Sequence, residues 1–489
     1  MTNTGLKSLL VTVIAAITFA AGAGNAQVNL PDIGSPADAI LSKSEEAKIG
    51  RAIMASIRQQ GVVIDDPEIT EYINDIGRLL SAQANEGEQN FNFFVVDDPR
   101  INAFALPGGF IGVHSGLLQA TRNENELAGV LAHEIAHVTQ RHIARAVHAN
   151  SRQNILTMAM MLGAILAGVG GAGADAVQGA IAVAQGTAAQ QQINFTRHNE
   201  YEADRVGMAA LVAAGFDPHG MASFFEVISM QGGPSQARFP EFLRTHPVTS
   251  TRIAEARSRA RDYDYVSTED SINYGIAKAR LKVDEHSTPE AAVFYFEQID
   301  YAEQSSTQRY GRALAYLRAG RNEDANRILE ELLDNDQDVI AYHIALAESQ
   351  LAMDDKARSL ETFERAFELF PRNVPLVINY AEALLQMEQP GKAHKILLDL
   401  LNNVPPTPEQ VRLIARAASE AGDMAEAYYY MAEHSIMVGD IMQGVGFLRQ
   451  ALKLPELQEI QRMRFEARID FLKEYMTEEQ LRAMQRSRG

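Results

Sequence analysis

Apolar and polar positions alternate along the chain with two periods. In "SEEAKIGRAIMASI", Ile49, Ile53 and Ile57 fall at helical spacing, so an amphipathic helix opens at Ser44. Asp66-Pro67 pairs a cap with a first-turn proline, and Ile69, Ile73 and Ile76 mark the buried face of a second helix. "FNFFVV" (91–96) is β-rich and stops at Asp97-Asp98-Pro99, which predicts a strand. "AFALPGGFIGVHSGLL" (103–118) predicts a second strand broken by Pro107-Gly108-Gly109. The helix that follows is capped by Asn123 or Asn125. A later periodic helix, "RHNEYEADRVGMAALVAAG" (197–215), closes on Gly215.

Two stretches are apolar without that alternation. Residues 1–26 read as a cleavable export signal: Lys7 is the only charge, residues 8–24 are apolar, and Gly24-Asn25-Ala26 has the small-x-small cleavage pattern. Residues 155–189 carry one charge, Asp175. Their unbroken apolar part, 155–170, is shorter than the roughly 20 residues of a membrane span, and a glycine-rich break follows. A pair of small apolar helices is expected there, serving as core, as a lid over a cleft, or as a hairpin that touches a membrane.

Beyond residue 270 the pattern becomes alanine-rich and repeats. Ala279, Ala313, Ala347, Ala381 and Ala415 are spaced by 34, as are Ala291, Ala325, Ser359, Ala393 and Ala427. Gly320-Arg321, Asp354-Asp355 and Gly422-Asp423 take the turn position, and Pro371 and Pro405 follow the second helix of a unit. The period resembles the tetratricopeptide repeat, in which small side chains let paired helices approach closely. The first unit lacks the usual turn, and after Gly422 the spacing shrinks to 17, at Gly439. The expected organisation is a signal (1–26), a first folded domain (27–265, with 155–189 as an apolar hairpin or lid), a repeat array (272–454) and a helical tail (455–489).

Composition narrows the chemistry. A formal charge of −19 excludes a nucleic-acid partner. With no cysteine there is no disulfide and no thiolate ligand, so any metal site is built from nitrogen and oxygen. An exported, acidic, cysteine-free chain fits a Gram-negative periplasm.

"LAHEIAHVTQRH" (131–142) supplies such a site. Residues four apart share a helix face, so His133 and His137 can converge on one ion, while Glu134 beside them reaches a water that the metal activates. The metzincin continuation is excluded, because its glycine and histidine positions hold Gln140 and Ile143. A glutamate on a later helix is the other common third ligand, and Glu200 fits it. Asp204, four residues on, would hold a ligand histidine by its free N–H, with Glu202 pointing elsewhere. His114, His142 and His148 are assigned to core or surface. An extended substrate would pair with a strand edge, either Phe104–Leu106 or Phe110–Val113.

"HEIAH", "NEYEAD", "NAFALPGG" and "THPVTSTRI" together resemble the zinc peptidase family of the CAAX prenyl protease and the heat-shock protease HtpX. The resemblance spans residues 44–253. With the export signal and the repeat array, it narrows to the periplasmic branch that serves outer-membrane β-barrel assembly. It implies a mainly α chain: an α+β, gluzincin-type peptidase domain with a small sheet, followed by an all-α tetratricopeptide solenoid. It implies one Zn²⁺ per chain on His133, His137 and Glu200, with Glu134 as general base. His246 matches a family histidine near the metal that can take the fourth position and hold the enzyme latent. Arg252 matches a family arginine near the site, where a cation would stabilise an oxyanion. The implied substrates are unfolded or misassembled outer-membrane proteins, with the array binding the β-barrel assembly machinery or a client. The competing expectation is a chaperone-like binding protein with a closed zinc site.

Overall fold

In the computed structural model, the first amphipathic stretch forms helix α1 (Lys43–Gln59). The structure describes residues 41–84, 90–149, 187–231, 241–264, 269–402, 406–455, 457–474, 476 and 480–482. The export signal and most of the apolar stretch 155–189 lie outside these residues. Ser42, rather than Ser44, caps α1, because Glu45 closes a reciprocal capping box with it. Helix α2 (Pro67–Ala84) starts where Asp66-Pro67 predicts, and Ile69, Ile73 and Ile76 are buried.

The strand expected over 103–118 is two strands. The sheet holds β1 (Val63–Ile64), β2 (Asn92–Val96), β3 (Ala103–Leu106) and β4 (Phe110–His114), in the order β1-β2-β4-β3. β3 and β4 form an antiparallel hairpin whose register sets Ala103 against Val113 and Leu106 against Phe110, while β2 and β4 run parallel. Gly108 and Gly109 make the turn at φ 81° and 86°. A Cβ on Gly108 would meet Ala47 Cα at 2.8 Å, so the hairpin tip packs directly on α1. Asn74 closes the edge of β2 by donating to the Phe93 carbonyl (3.0 Å) and accepting from its N–H (3.3 Å). β4 is interior, which leaves β3 as the edge strand of this end of the sheet.

A short helix α3 (Ser115–Ala120) leads into α4 (Glu124–Thr139), capped by Asn123, and α5 (His142–Ala149) follows at once. Then come α6 (Thr187–Ala213), α7 (His219–Gln231), α8 (Glu241–Thr245) and α9 (Ser250–Ala260). α6 thus begins ten residues ahead of its expected start and ends at Ala213, with Gly215 at φ 88° turning the chain away. No described helix is long and apolar enough to cross a membrane.

The repeat array is a stack of paired helices: α10 (Ile272–Glu285) with α11 (Pro289–Glu297), α12 (Ser306–Arg318) with α13 (Asn322–Asn335), α14 (Ile340–Ala352) with α15 (Lys356–Leu369), α16 (Val374–Gln386) with α17 (Pro390–Leu401), and α18 (Pro408–Glu420) with α19 (Met424–Met437). α20 (Ile441–Ala451) and α21 (Glu459–Lys473) extend it. The residues at turn position 320, 354, 388 and 422 all have positive φ, as does Gly439 after the shortened spacing. Glu388 does so without a glycine, which is why the pattern of turn residues skips it. All five alanines of the first series are buried, whereas in the second series Ala291 is exposed and Ala292 buried. The first unit turns through an extended His286 (ψ 127°) instead of a left-handed residue, and this shifts the phase by one.

Helix α10 faces two ways. Tyr274, Ala277 and Leu281 enter the core of the N-terminal domain, and Ile276, Ala279 and Val283 enter the first repeat core. The array then curls back over the N-terminal domain. Asn373 donates to Glu71 on α2 (3.0 Å), and Gln59 on α1 donates to the Val438 carbonyl (3.1 Å). A cavity of about 1690 Å³ lies between them, lined among others by Arg51, Arg58, Phe94, Arg372 and Arg412.

Candidate metal centre

Helix α4 is apolar on nearly every side, so it is buried almost all round, and its few polar side chains are forced to find partners inside. His133 and Glu134 are 0% and 1% exposed. Helix α6 crosses it closely because residue 207 is glycine; a Cβ there would sit 2.8 Å from the Ala132 carbonyl oxygen. That approach brings Glu200 and Asp204, one helical turn apart on α6, against the two histidines of α4.

His133, His137, Glu200 and His246 each present a ligand atom, and these atoms lie within 4.8 Å of one another. His133 Nε2 is 3.0 Å from His137 Nε2 and 3.3 Å from His246 Nδ1. The Glu200 carboxylate lies 3.4 Å from each α4 histidine and 3.2 Å from His246 Nδ1. His246, just past α8, stacks its ring on Phe242 at 4.9 Å and is 8% exposed. Its other nitrogen, Nε2, is 3.4 Å from Glu134 Oε1, a buried atom with no hydrogen-bond partner.

Asp204 Oδ1 is 3.0 Å from His133 Nδ1, the ring nitrogen turned away from the cluster. Arg252 on α9 is 2% exposed and grips both acids: Nε and Nη2 donate to Asp204 at 2.8 and 2.7 Å, and Nη1 pairs with Glu200 at 2.9 Å. Nη1 also donates to the Pro247 carbonyl at 3.0 Å, which ties the His246 loop to the site. An oxyanion role asks for a donor facing the substrate, yet every nitrogen of this guanidinium is engaged behind the carboxylates.

Electrostatics follow from this packing. Burial disfavours charge on His133, but Asp204 and Glu200 outweigh it and push the imidazole up to about 9. His137 goes the other way: burial first, then three neighbouring imidazoles, hold it well below the ordinary histidine value. Glu200 is held well below the usual carboxylate range against burial, chiefly by His246 and His133. Three imidazole nitrogens and a carboxylate aimed at one point repel as lone pairs unless a cation or a shared proton lies among them. An N/O donor set without thiolate, next to an orphaned buried carboxylate oxygen, fits a divalent metal ion.

One residue that sequence reasoning set aside, His142, also reaches the cluster, with Glu202 behind it. Arg141 adopts φ 53°, ending α4 and folding His142 back onto it. His142 Nδ1 is then 2.9 Å from His137 Nδ1, and His142 Nε2 is 3.2 Å from Glu202. No helical spacing rule signals this pair, because the break at Gln140-Arg141 creates it. His114 is a buried core residue at the end of β4, edge-on to Phe104 at 5.8 Å. Of the two candidate substrate strands, Phe110–Val113 is interior, and β3 offers an edge with no strand beside it among the described residues.

The profile of peptidase family M48 matches residues 67–260, and that of a tetratricopeptide repeat matches 350–417. The chain is 36% identical to the putative beta-barrel assembly-enhancing protease of Vibrio cholerae, over 95% of this chain and 96% of the relative. It is 33% identical to the beta-barrel assembly-enhancing protease of Escherichia coli, over 96% of each. Metalloprotease LoiP of Escherichia coli is 27% identical over 39% of this chain and 71% of the relative. With the HExxH helix inside the matched region and both full-length relatives covered almost end to end, the chain is a metalloprotease of peptidase family M48 and belongs with the beta-barrel assembly-enhancing proteases.

Proposed function

We propose that this protein is a periplasmic zinc metalloendopeptidase that degrades unfolded or misassembled outer-membrane proteins. The peptidase unit would run to residue 265, and the repeat array, 272–454, would bind the β-barrel assembly machinery or its clients. The observation that carries this reading is the convergence of four ligand atoms within 4.8 Å, with Glu134 buried alongside. His133, His137 and Glu200 would hold one zinc ion. Zinc bound there supplies Lewis acidity toward water and the scissile carbonyl.

Glu134 acts as general base, taking the proton of the attacking water and passing it to the departing amine. Asp204 Oδ1 lies 3.0 Å from His133 Nδ1, close enough to hold the proton on that nitrogen and leave Nε2 bare toward the ion. Arg252 clamps Asp204 and Glu200 in that geometry. An extended substrate adds a strand to the β3 edge, Ala103–Leu106, beside α4. The cavity between peptidase and solenoid has room for an extended segment of a partner. The export-signal pattern of residues 1–26 supports the periplasm.

His246 touches both Glu134 and Glu200, so the imidazole fills the approach to the base and holds the site latent until its loop moves. The same contacts favour a second reading, a chaperone-like binding protein whose zinc site stays shut. Zinc content and cleavage of an unfolded porin, for wild type, Glu134→Gln and His246→Ala, separate the two. Glu134→Gln is expected to keep zinc and lose cleavage by about 10²–10⁴-fold, a general base's contribution. His246→Ala is expected to keep zinc and cleave faster. Cleavage that survives Glu134→Gln overturns the mechanism. No cleavage by wild type or His246→Ala favours the binding protein.

A further inference from the structure

His137 is held from behind by residues outside the four-atom cluster. Its Nε2 faces the cluster, 3.0 Å from His133 Nε2 and 3.4 Å from Glu200. Its Nδ1 faces the opposite way, 2.9 Å from His142 Nδ1, with the two rings nearly perpendicular at 79°. Both atoms of this contact are imidazole nitrogens, so one must donate and the other accept. Which does so decides whether His137 can bind a metal.

A neutral histidine that offers Nε2 to a cation carries its proton on Nδ1. His137 Nδ1 then donates, and His142 Nδ1 must accept. The His142 proton therefore sits on Nε2, which lies 3.2 Å from Glu202 Oε2, an acceptor. The same Glu202 oxygen accepts from Arg145 Nη1 at 2.8 Å, so the carboxylate is oriented in turn. The opposite arrangement, with His142 Nδ1–H donating, would put a proton on His137 Nε2 and aim it at the ion's position. It would also leave His142 Nε2 and Glu202 as two acceptors face to face. With both imidazoles neutral, the run Arg145–Glu202–His142–His137 has one self-consistent proton placement, and it is the one that bares His137 Nε2.

His142 is 3% exposed and cannot exchange this partner for water. Its position follows from the left-handed Arg141, which ends α4 and starts α5 one residue later. The contact mirrors Asp204 on His133, but it is carried by an imidazole relay because α5, not α6, covers the far side of His137.

We propose that His142, oriented by Glu202 and Arg145, is a positioning residue that fixes the ring and tautomer of His137 for metal binding. This rests on the reading of His137 as a ligand. The test measures the zinc dissociation constant by chelator competition, and the d–d absorption of the cobalt-substituted protein, in the full chain. His142→Leu, which removes the acceptor, is expected to weaken zinc about 10–100-fold, the usual effect of losing a ligand's outer partner, and to change the cobalt spectrum. His142→Gln keeps an acceptor for His137 and a donor for Glu202, so it is expected to restore most of the affinity and the wild-type spectrum. Glu202→Ala, at a partly exposed position that is safer for folding, is expected to weaken zinc by a smaller factor. Zinc affinity and cobalt spectrum unchanged in both His142→Leu and Glu202→Ala overturn the proposal, as does a His142→Gln protein as impaired as His142→Leu. If His142→Leu does not fold, unchanged affinity in Glu202→Ala alone overturns it. His137→Ala tells the two failures apart: wild-type zinc affinity there removes the ligand reading itself, whereas lost affinity there beside unaffected relay variants removes only this inference.

Discussion

Arg252→Met removes a charge from the interior while keeping most of the apolar stem, so its effect reports on the clamp over Glu200 and Asp204. Wild-type Arg252 is 2% exposed and makes two bonds to Asp204, at 2.8 and 2.7 Å, and an ion pair to Glu200 at 2.9 Å. The carboxylates left behind are themselves 3% and 5% exposed, so water cannot replace the lost partner. Breaking a buried pair from one side costs about 3–5 kcal/mol, because the surviving charge stays desolvated. That is a large share of the roughly 5–15 kcal/mol that holds a domain folded. The cost is greatest without metal. With zinc bound, the ion compensates Glu200, and only Asp204 is left short of a donor. Hydrogen–deuterium exchange in α4, α6 and α9, with and without zinc, measures this locally. Metal-free Arg252→Met is expected to exchange more than about 100-fold faster than wild type, since each 1.4 kcal/mol is a tenfold change. Zinc should restore part of the protection. Arg252→Lys should fall between, because an ammonium cannot reproduce the two-pronged contact. Exchange within threefold of wild type in metal-free Arg252→Met would refute the clamp.

Two other expectations follow from the contact between the peptidase domain and the solenoid. Burial at that contact, with Asp75 nearby, raises Glu71 from 4.5 to about 7, although it accepts from Asn373. The folded state therefore holds this proton where the unfolded chain has released it. The stability this gives is complete below about pH 4.5 and is lost as pH rises through about 7. Proteolysis of the docked array should accelerate between about pH 4.5 and 7, and Glu71→Gln should flatten that dependence; an unchanged profile in Glu71→Gln contradicts it. Truncation should depend on which side of α10 is cut. A chain ending at residue 271 loses Tyr274, Ala277 and Leu281 from the peptidase core, at about 1.5–3 kcal/mol for each large side chain. It also loses the bond from the Tyr274 hydroxyl to the Thr121 carbonyl (2.9 Å). It should be poorly soluble, whereas a chain ending at residue 286 should fold, bind zinc and fail to capture partners; zinc loss from the longer chain would count against this division.

Legibility in the sequence tracks how local each determinant is. His133, Glu134 and His137 share one helix, and Glu200 and Asp204 share another, so an i, i+4 rule finds each set without tertiary information. The 34-residue period is equally local, and the turns at Gly320 and Gly422 announce themselves. The strand pair is visible as apolar runs, but which of β3 and β4 is the edge depends on β2 pairing with β4, a contact between distant segments. His142 escapes because a left-handed non-glycine residue, Arg141, redirects the chain. The posture of Arg252 escapes for a related reason. The family resemblance marks it as close to the site, while its orientation is decided by two buried acids on α6 that demand a cation.

The most direct test of the account is anomalous diffraction at the zinc edge from crystals of the purified full chain. One strong peak per chain is expected among His133 Nε2, His137 Nε2 and Glu200, at about 2.0–2.2 Å from each, with His246 as the fourth neighbour in the resting protein. No peak there at full protein occupancy, or a zinc ion bound elsewhere with this cluster still closed on itself, would contradict it.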